Sequence, residues 1–180
     1  YLLVFIGISV YLTARAWKKL PSEPEETSTY SREFWIFMGA TVLCLMGFQV
    51  LIPTSMPVYN ALLEMVGIES NLAPPVDAIG FYTQFQLWFS ILIALLSGTG
   101  QFFWWKKMDK NALKDELMVP AIISLVLSAL IFIIAKITHL PYMLLLTAGI
   151  YSIVANSKIL LRVAKSNYKL SGGAIAHIGI

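Results

Sequence analysis

His177 is the side chain whose setting most demands a chemical reason. It lies in the uncharged run Gly172-Gly173-Ala174-Ile175-Ala176-His177-Ile178-Gly179. The rest of the chain reads as membrane-embedded, and an ionisable side chain inside such a segment is costly and marks a functional site by default. Neutral imidazole is the commonest metal ligand and a standard axial ligand of haem iron. The residue could equally be a packing histidine bonded to a neighbouring helix. His139, in Thr138-His139-Leu140-Pro141, is the only other histidine. It falls in a short turn, where a surface histidine is the simpler reading. Helix placement puts the two in opposite halves of a hydrocarbon layer about 30 Å thick, so they cannot share one metal.

The residues beside His177 are small. Gly172, Ala176 and Gly179 recur at i, i+4 and i+7, next to the face that carries the imidazole. Such a surface lets a flat cofactor approach closely, or another helix backbone. Other candidates carry less. Gly98-Thr99-Gly100 precedes Trp104-Trp105, but no strand comes before it and no Lys-Ser/Thr follows, so it is no phosphate loop. The tryptophan pair reads as an interfacial belt. Gln49, Gln84, Gln86, Gln101 and Asn156 are the polar residues in or near the apolar runs, and interhelical hydrogen bonds account for them. No acidic residue lies mid-span, which argues against a proton or ion path. Neither a Ser/His/acid set nor HExxH is visible, and no catalytic residue is assigned. Cys44 is the single cysteine. It excludes an intrachain disulfide, a CxxC pair, a CxxCH haem attachment site and a cysteine zinc site. It reads as a small buried packing residue.

Transmembrane helices are expected to carry these residues. The chain is 58% hydrophobic and 13% charged, against about a quarter charged in soluble domains, and its mean hydropathy is +0.74. A spanning helix needs about 20 mostly apolar residues. Helices are expected at about 1–17, 34–52, 81–105, 117–135, 142–161 and 172–180, with an outer loop over 53–80. The first and last read as truncated. The expected fold is therefore all-α: a polytopic transmembrane helix bundle, a single-domain fragment of a longer protein with about six membrane crossings.

Charge orients it. Arg15, Lys18, Lys19 and Arg32, then Lys106, Lys107, Lys110 and Lys114, then Lys158, Arg162, Lys165 and Lys169 fall in alternate connections. That places 12 of the 13 basic residues on one side, with Lys136 alone opposite, so the basic side is cytoplasmic. The basic pI implies no nucleic acid here. The polar 20–30 segment reads as a mobile inner linker. Ser31 then reads as an N-cap, with Glu33 favoured by the positive helix start. In the outer loop Tyr59, Leu62, Leu63 and Val66 recur at helical spacing, which predicts a short helix over 57–67 lying on the membrane surface. An extended segment follows at 71–77. Glu64, Glu69 and Asp77 make this loop acidic, as a solvated outer loop is.

The order of these pieces resembles the CcmF-type haem lyase subunits of the cytochrome c maturation system. Ser31-Arg32-Glu33 is similar to the Ser-Arg-Glu that opens a family helix. Pro74-Pro75 followed by Phe81-Tyr82 resembles its proline segment with aromatics. Gly98-Thr99-Gly100-Gln101-Phe102-Phe103-Trp104-Trp105 resembles its Gly-x-Gly run ending in tryptophan and basic residues. Ala176-His177-Ile178-Gly179 resembles its Ala-His-x-Gly segment. The chain departs from the family at Val76-Asp77-Ala78-Ile79-Gly80, which replaces a more aromatic pattern.

The resemblance implies a component of the haem lyase that joins haem vinyl groups to the CxxCH thiols of a c-type apocytochrome. It implies membrane scaffold here, with His177 as one axial ligand of a haem b. The second ligand and the tryptophan-rich WWD motif would lie upstream, outside this fragment. Implied partners are membrane lipid, other cytochrome c maturation subunits, a haem-delivering chaperone and the apocytochrome, in a bacterial inner membrane. Two other classes fit the residues: a transporter or permease segment with a buried histidine, and a structural membrane subunit.

Overall fold

The computed structural model describes residues 2–19, 31–103, 110–167 and 172–179. The described residues are helical, with short connections. In order they are α1 (Leu2–Ala16), α2 (Arg32–Thr54), α3 (Met56–Met65), α4 (Ala78–Gly100), α5 (Lys110–Ala135), α6 (Leu140–Asn167) and α7 (Gly172–Ile178). Short 3-10 turns extend α1 to Lys19 and α4 to Phe103. The 20–30 linker and the Trp104-Trp105 pair lie outside the described residues.

Four helices are long and apolar enough to cross a membrane, over Glu33–Thr54, Ala78–Phe103, Lys114–Ala135 and Leu140–Lys165. Six crossings were expected, and among the described residues four helices qualify. Helix α1 has 15 residues and α7 has 7, both short of the roughly 20 a span requires. The four spans make this a multi-pass membrane protein. Their neighbours run antiparallel, which leaves the acidic 66–77 connection at one end and the basic ends of α5 and α6 at the other. Helix α6 is the hub, packing on α4, α5 and α7, while α2 packs on α4. A third of the α6 span is buried (33%), against 6% for α2 and α4. Most apolar side chains on the outer helices therefore face outward, as lipid contact requires. Cys44 is one of them: it is exposed on α2, not buried as expected, because α2 packs through one face only.

Local chemistry sets the helix ends. Ser31 caps α2, its Oγ accepting from Phe34 N–H at 3.3 Å. Helix α2 runs through Pro53 to Thr54, where it was expected to stop at 52. A proline in the last turn removes one N–H without ending the turn. Helix α3 begins almost at once, so the expected 53–80 loop shrinks to 66–77. Its end is a Schellman turn: Ile68 N–H donates to Leu63 O at 2.9 Å and Gly67 N–H to Glu64 O at 3.0 Å. The turn requires a left-handed residue, supplied by Gly67 at φ 80°. Asp77 caps α4 by accepting from Gly80 N–H at 2.9 Å.

The short helix expected over 57–67 is present as α3, with its apolar stripe shifted. Tyr59 and Leu63 are half-buried, while Val58, Leu62, Met65 and Val66 form the exposed apolar face. Asn60 ties the following segment down. Its Nδ2 donates to Leu72 O at 2.7 Å, and its Oδ1 accepts from Leu72 N–H at 3.0 Å and from Ser70 Oγ at 2.9 Å. Asn60→Ala removes all three bonds at about 1 kcal/mol each before relaxation. Amide exchange at Leu72 should accelerate strongly while exchange in α4 stays unchanged. Unchanged protection at Leu72 would show that Asn60 is incidental.

Proline also explains the basic end of the bundle. Pro120 lies inside α5, so the Glu116 carbonyl four residues back has no intrahelical donor. Lys158 on α6 replaces it, its Nζ donating to Glu116 O at 2.8 Å. The same ammonium pairs with Glu116 Oε2 at 2.7 Å, and Arg162 Nη2 holds Oε1 at 2.6 Å. Phe102 lies under Lys158, its ring centroid 5.7 Å from Nζ. Phe102 also joins Tyr151, Ala155, Ile159, Val163 and Ala174 in the core. Trp35 on α2 stacks on Phe103, with ring centroids 5.3 Å apart.

Candidate functional site

Helix α7 is short and docks by one small residue. Ala174 is 4% exposed and enters the core beside Ile159 and Val163 of α6. His177 follows three residues later, on the same face. Its Nδ1 lies 3.0 Å from Ser97 Oγ on α4. Ser152 Oγ on α6 donates to the same Ser97 oxygen at 3.3 Å. Below it Asn156, fully buried, donates from Nδ2 to Ser152 O at 2.9 Å, to Ser152 Oγ at 3.4 Å and to Ser97 O at 3.5 Å. Three helices thus converge on one polar cluster inside an apolar bundle.

The convergence depends on Gly98. A Cβ there would stand 2.7 Å from Tyr151 Cε1 and 3.1 Å from Ser152 Cα. Without one, α4 comes close enough to α6 for the hydroxyls of Ser97 and Ser152 to meet. Tyr151 Oη and Thr99 Oγ1, 3.0 Å apart, lock the same contact from the residues alongside. The Gly98–Gly100 run is therefore a helix-packing device.

The cluster constrains the imidazole. A hydroxyl oxygen has two lone pairs, so Ser97 Oγ can accept from both Ser152 and a protonated Nδ1. That tautomer leaves the Nε2 lone pair bare. Among the described residues Ser97 is the ring's one hydrogen-bond partner, and the ring is half-exposed. Hydrogen bonding of one ring nitrogen to a neighbour is how a ligating histidine is usually oriented. The opposite tautomer, with Ser97 donating to Nδ1, would make Nε2 a donor and suit a packing role.

Not every expected residue joins this site. The ring meets α4 through Ser97. Gly172, Ala176 and Gly179 are exposed, and nothing lies within 4 Å of a Cβ at Gly172. The small-residue stripe is therefore an open surface beside the histidine, while the tight contact belongs to Ala174. His139 is exposed in the α5–α6 turn, its ring against Tyr142. It stands 13 residues before Ser152, about 20 Å along α6, so the two histidines stay apart as expected. Of the polar span residues, Gln86 and Gln49 bond across α2 and α4 at 2.7 Å, and Asn156 crosses from α6 to α4. Ser97 and Ser152 were not singled out in the sequence. Serine is common in apolar helices, and only their meeting opposite His177 distinguishes them.

Among the described residues no three His, Cys, Asp or Glu side chains converge as a metal site. With Nδ1 protonated, His177 would present Nε2 to a haem iron beside the exposed small residues. No family model matches the chain, and neither the curated proteins nor the solved structures compared with it give a match.

Proposed function

We propose that this chain is a haem-handling part of a cytochrome c maturation complex in a bacterial inner membrane. In this reading His177 is an axial ligand of a membrane-embedded haem b, through Nε2. The observation that carries it is the Ser97 Oγ contact at 3.0 Å to Nδ1. That contact fixes the ring and spends the nitrogen that would otherwise compete. Ser152 and Asn156 hold Ser97, so the imidazole is oriented from the scaffold and not from a loop. When bound, the haem iron would supply one-electron chemistry that keeps the substrate haem reduced. The protein's own part is to hold the imidazole, exclude water with apolar helices and offer the Gly172–Ala176–Gly179 surface to a flat partner. The wider apparatus, including a haem-delivering chaperone, other maturation subunits and the apocytochrome, follows from the resemblance in sequence order. The same resemblance and the charge partition support a cytoplasmic location for the basic end of the bundle.

A packing role is the competing reading, favoured by the α7-to-α4 link that the same bond makes. His177→Asn separates the two, because asparagine can still bond Ser97 but is a poor iron ligand. In membranes carrying the full protein, His177→Ala and His177→Asn should both remove or alter the b-type absorbance, with helix insertion intact. A haem spectrum unchanged in the asparagine variant would return His177 to packing.

A further inference from the structure

We infer that the groove between α5 and α6 at the basic end of the bundle binds an anionic glycerophospholipid of the adjoining leaflet. The groove has a volume of about 670 Å³. Its floor is apolar, formed by Val119 and Ile123 of α5 and Ile153 and Leu161 of α6, and it ends at Arg162 and Lys165. Residues 153, 157, 161 and 165 share one face of α6. From Ile153 to Lys165 that face is 12 residues long, about 18 Å at helical rise. One leaflet of the hydrocarbon core is about 15 Å deep. The groove therefore runs from mid-membrane to the headgroup level, apolar first and cationic at its mouth.

Charge selects the occupant. Lys158, Arg162 and Lys165 line the mouth, and Glu116 beside them answers one positive charge, leaving a net surplus of two. Lys158 is committed to Glu116 through both its carbonyl and its carboxylate. Arg162 gives only Nη2 to Glu116 and its side chain stays 53% exposed, so the rest of its fork can take a phosphate. Lys165 is exposed. A transmembrane helix seated here would have to bring acidic groups to this depth, whereas an anionic lipid brings both an acyl chain and a phosphate. Basic pockets between spanning helices on the cytoplasmic side take such headgroups.

The test uses the full chain in nanodiscs of phosphatidylcholine, with phosphatidylglycerol titrated in and bound lipid counted by native mass spectrometry. Wild type should retain phosphatidylglycerol preferentially. Arg162→Gln with Lys165→Gln should weaken retention on the order of 30-fold, and Lys165→Gln alone, which breaks no ion pair among the described residues, should give about 5-fold. Val119→Trp, which fills the groove without changing charge, should also abolish preference. Lys18→Gln with Lys19→Gln removes equal charge elsewhere and should leave it unchanged. Equal retention of the two lipids, or loss in the Lys18/Lys19 control matching that at the groove, would overturn the proposal. So would competition by soluble glycerol phosphate as effective as by lipid, which would indicate a phosphate site alone. Occupancy by a second protein chain that excludes lipid from wild type would overturn it in favour of a helix-docking face.

Discussion

Gly98→Val should lower the melting temperature of the detergent-solubilised protein more than any other single change within the α4–α6 contact. The new Cβ would stand 2.7 Å from the Tyr151 ring and 3.1 Å from the Ser152 backbone. The ring could swing, but the backbone of a packed helix can only retreat. Forced overpacking of this kind costs about 1–3 kcal/mol. The retreat also parts Ser97 from Ser152 and Thr99 from Tyr151, now at 3.3 Å and 3.0 Å. His177 would lose its partner with them, so the variant should lose haem as well as stability if His177 is a ligand. Gly100→Ala is the control. A Cβ there meets Trp35 Cβ at 3.7 Å, an ordinary contact, and should leave melting nearly unchanged. Equal melting of Gly98→Val and wild type would mean that α4 and α6 are not held at this distance.

Lys158→Met should be the most damaging change at the basic end. It strips the donor from a carbonyl that Pro120 has already deprived of its helical partner, and it halves the pairing of the Glu116 carboxylate. Glu116 is 23% exposed, so water relieves part of the loss. An orphaned polar group of this kind costs about 1–3 kcal/mol. Pro120→Ala restores an N–H opposite the Glu116 carbonyl, so it should rescue part of the Lys158→Met loss. The two substitutions should therefore be non-additive by about 1 kcal/mol, as residues sharing one partner are. Strict additivity in chemical unfolding would show that Lys158 does not serve that carbonyl.

Composition and apolar run length were enough to identify the class of molecule and where its helices lie. Apolar length requires helices wherever backbone groups must be satisfied without water, and α2, α4, α5 and α6 fall where the apolar runs place them. Ser31 was legible as a cap because capping needs a side-chain acceptor three residues before an orphan N–H. His177 was legible as a candidate because ionisable groups are rare in such runs. At α1 and α7 the composition is apolar, but the described helices are 15 and 7 residues long, so four spans stand among the described residues. The burial of Cys44 was misjudged because apolar neighbours in sequence do not say which face meets lipid.

The surroundings of the imidazole emerge from helix packing. Ser97 and His177 are 80 residues apart in sequence, and Glu116 and Arg162 are 46 apart. No local pattern ties such residues, because serine and glutamate at helix positions satisfy themselves locally as readily as they pair across helices. What joined them was the absence of a side chain at Gly98 and of an N–H at Pro120. Each is a small local deficit, and its meaning is fixed by the helix packed against it.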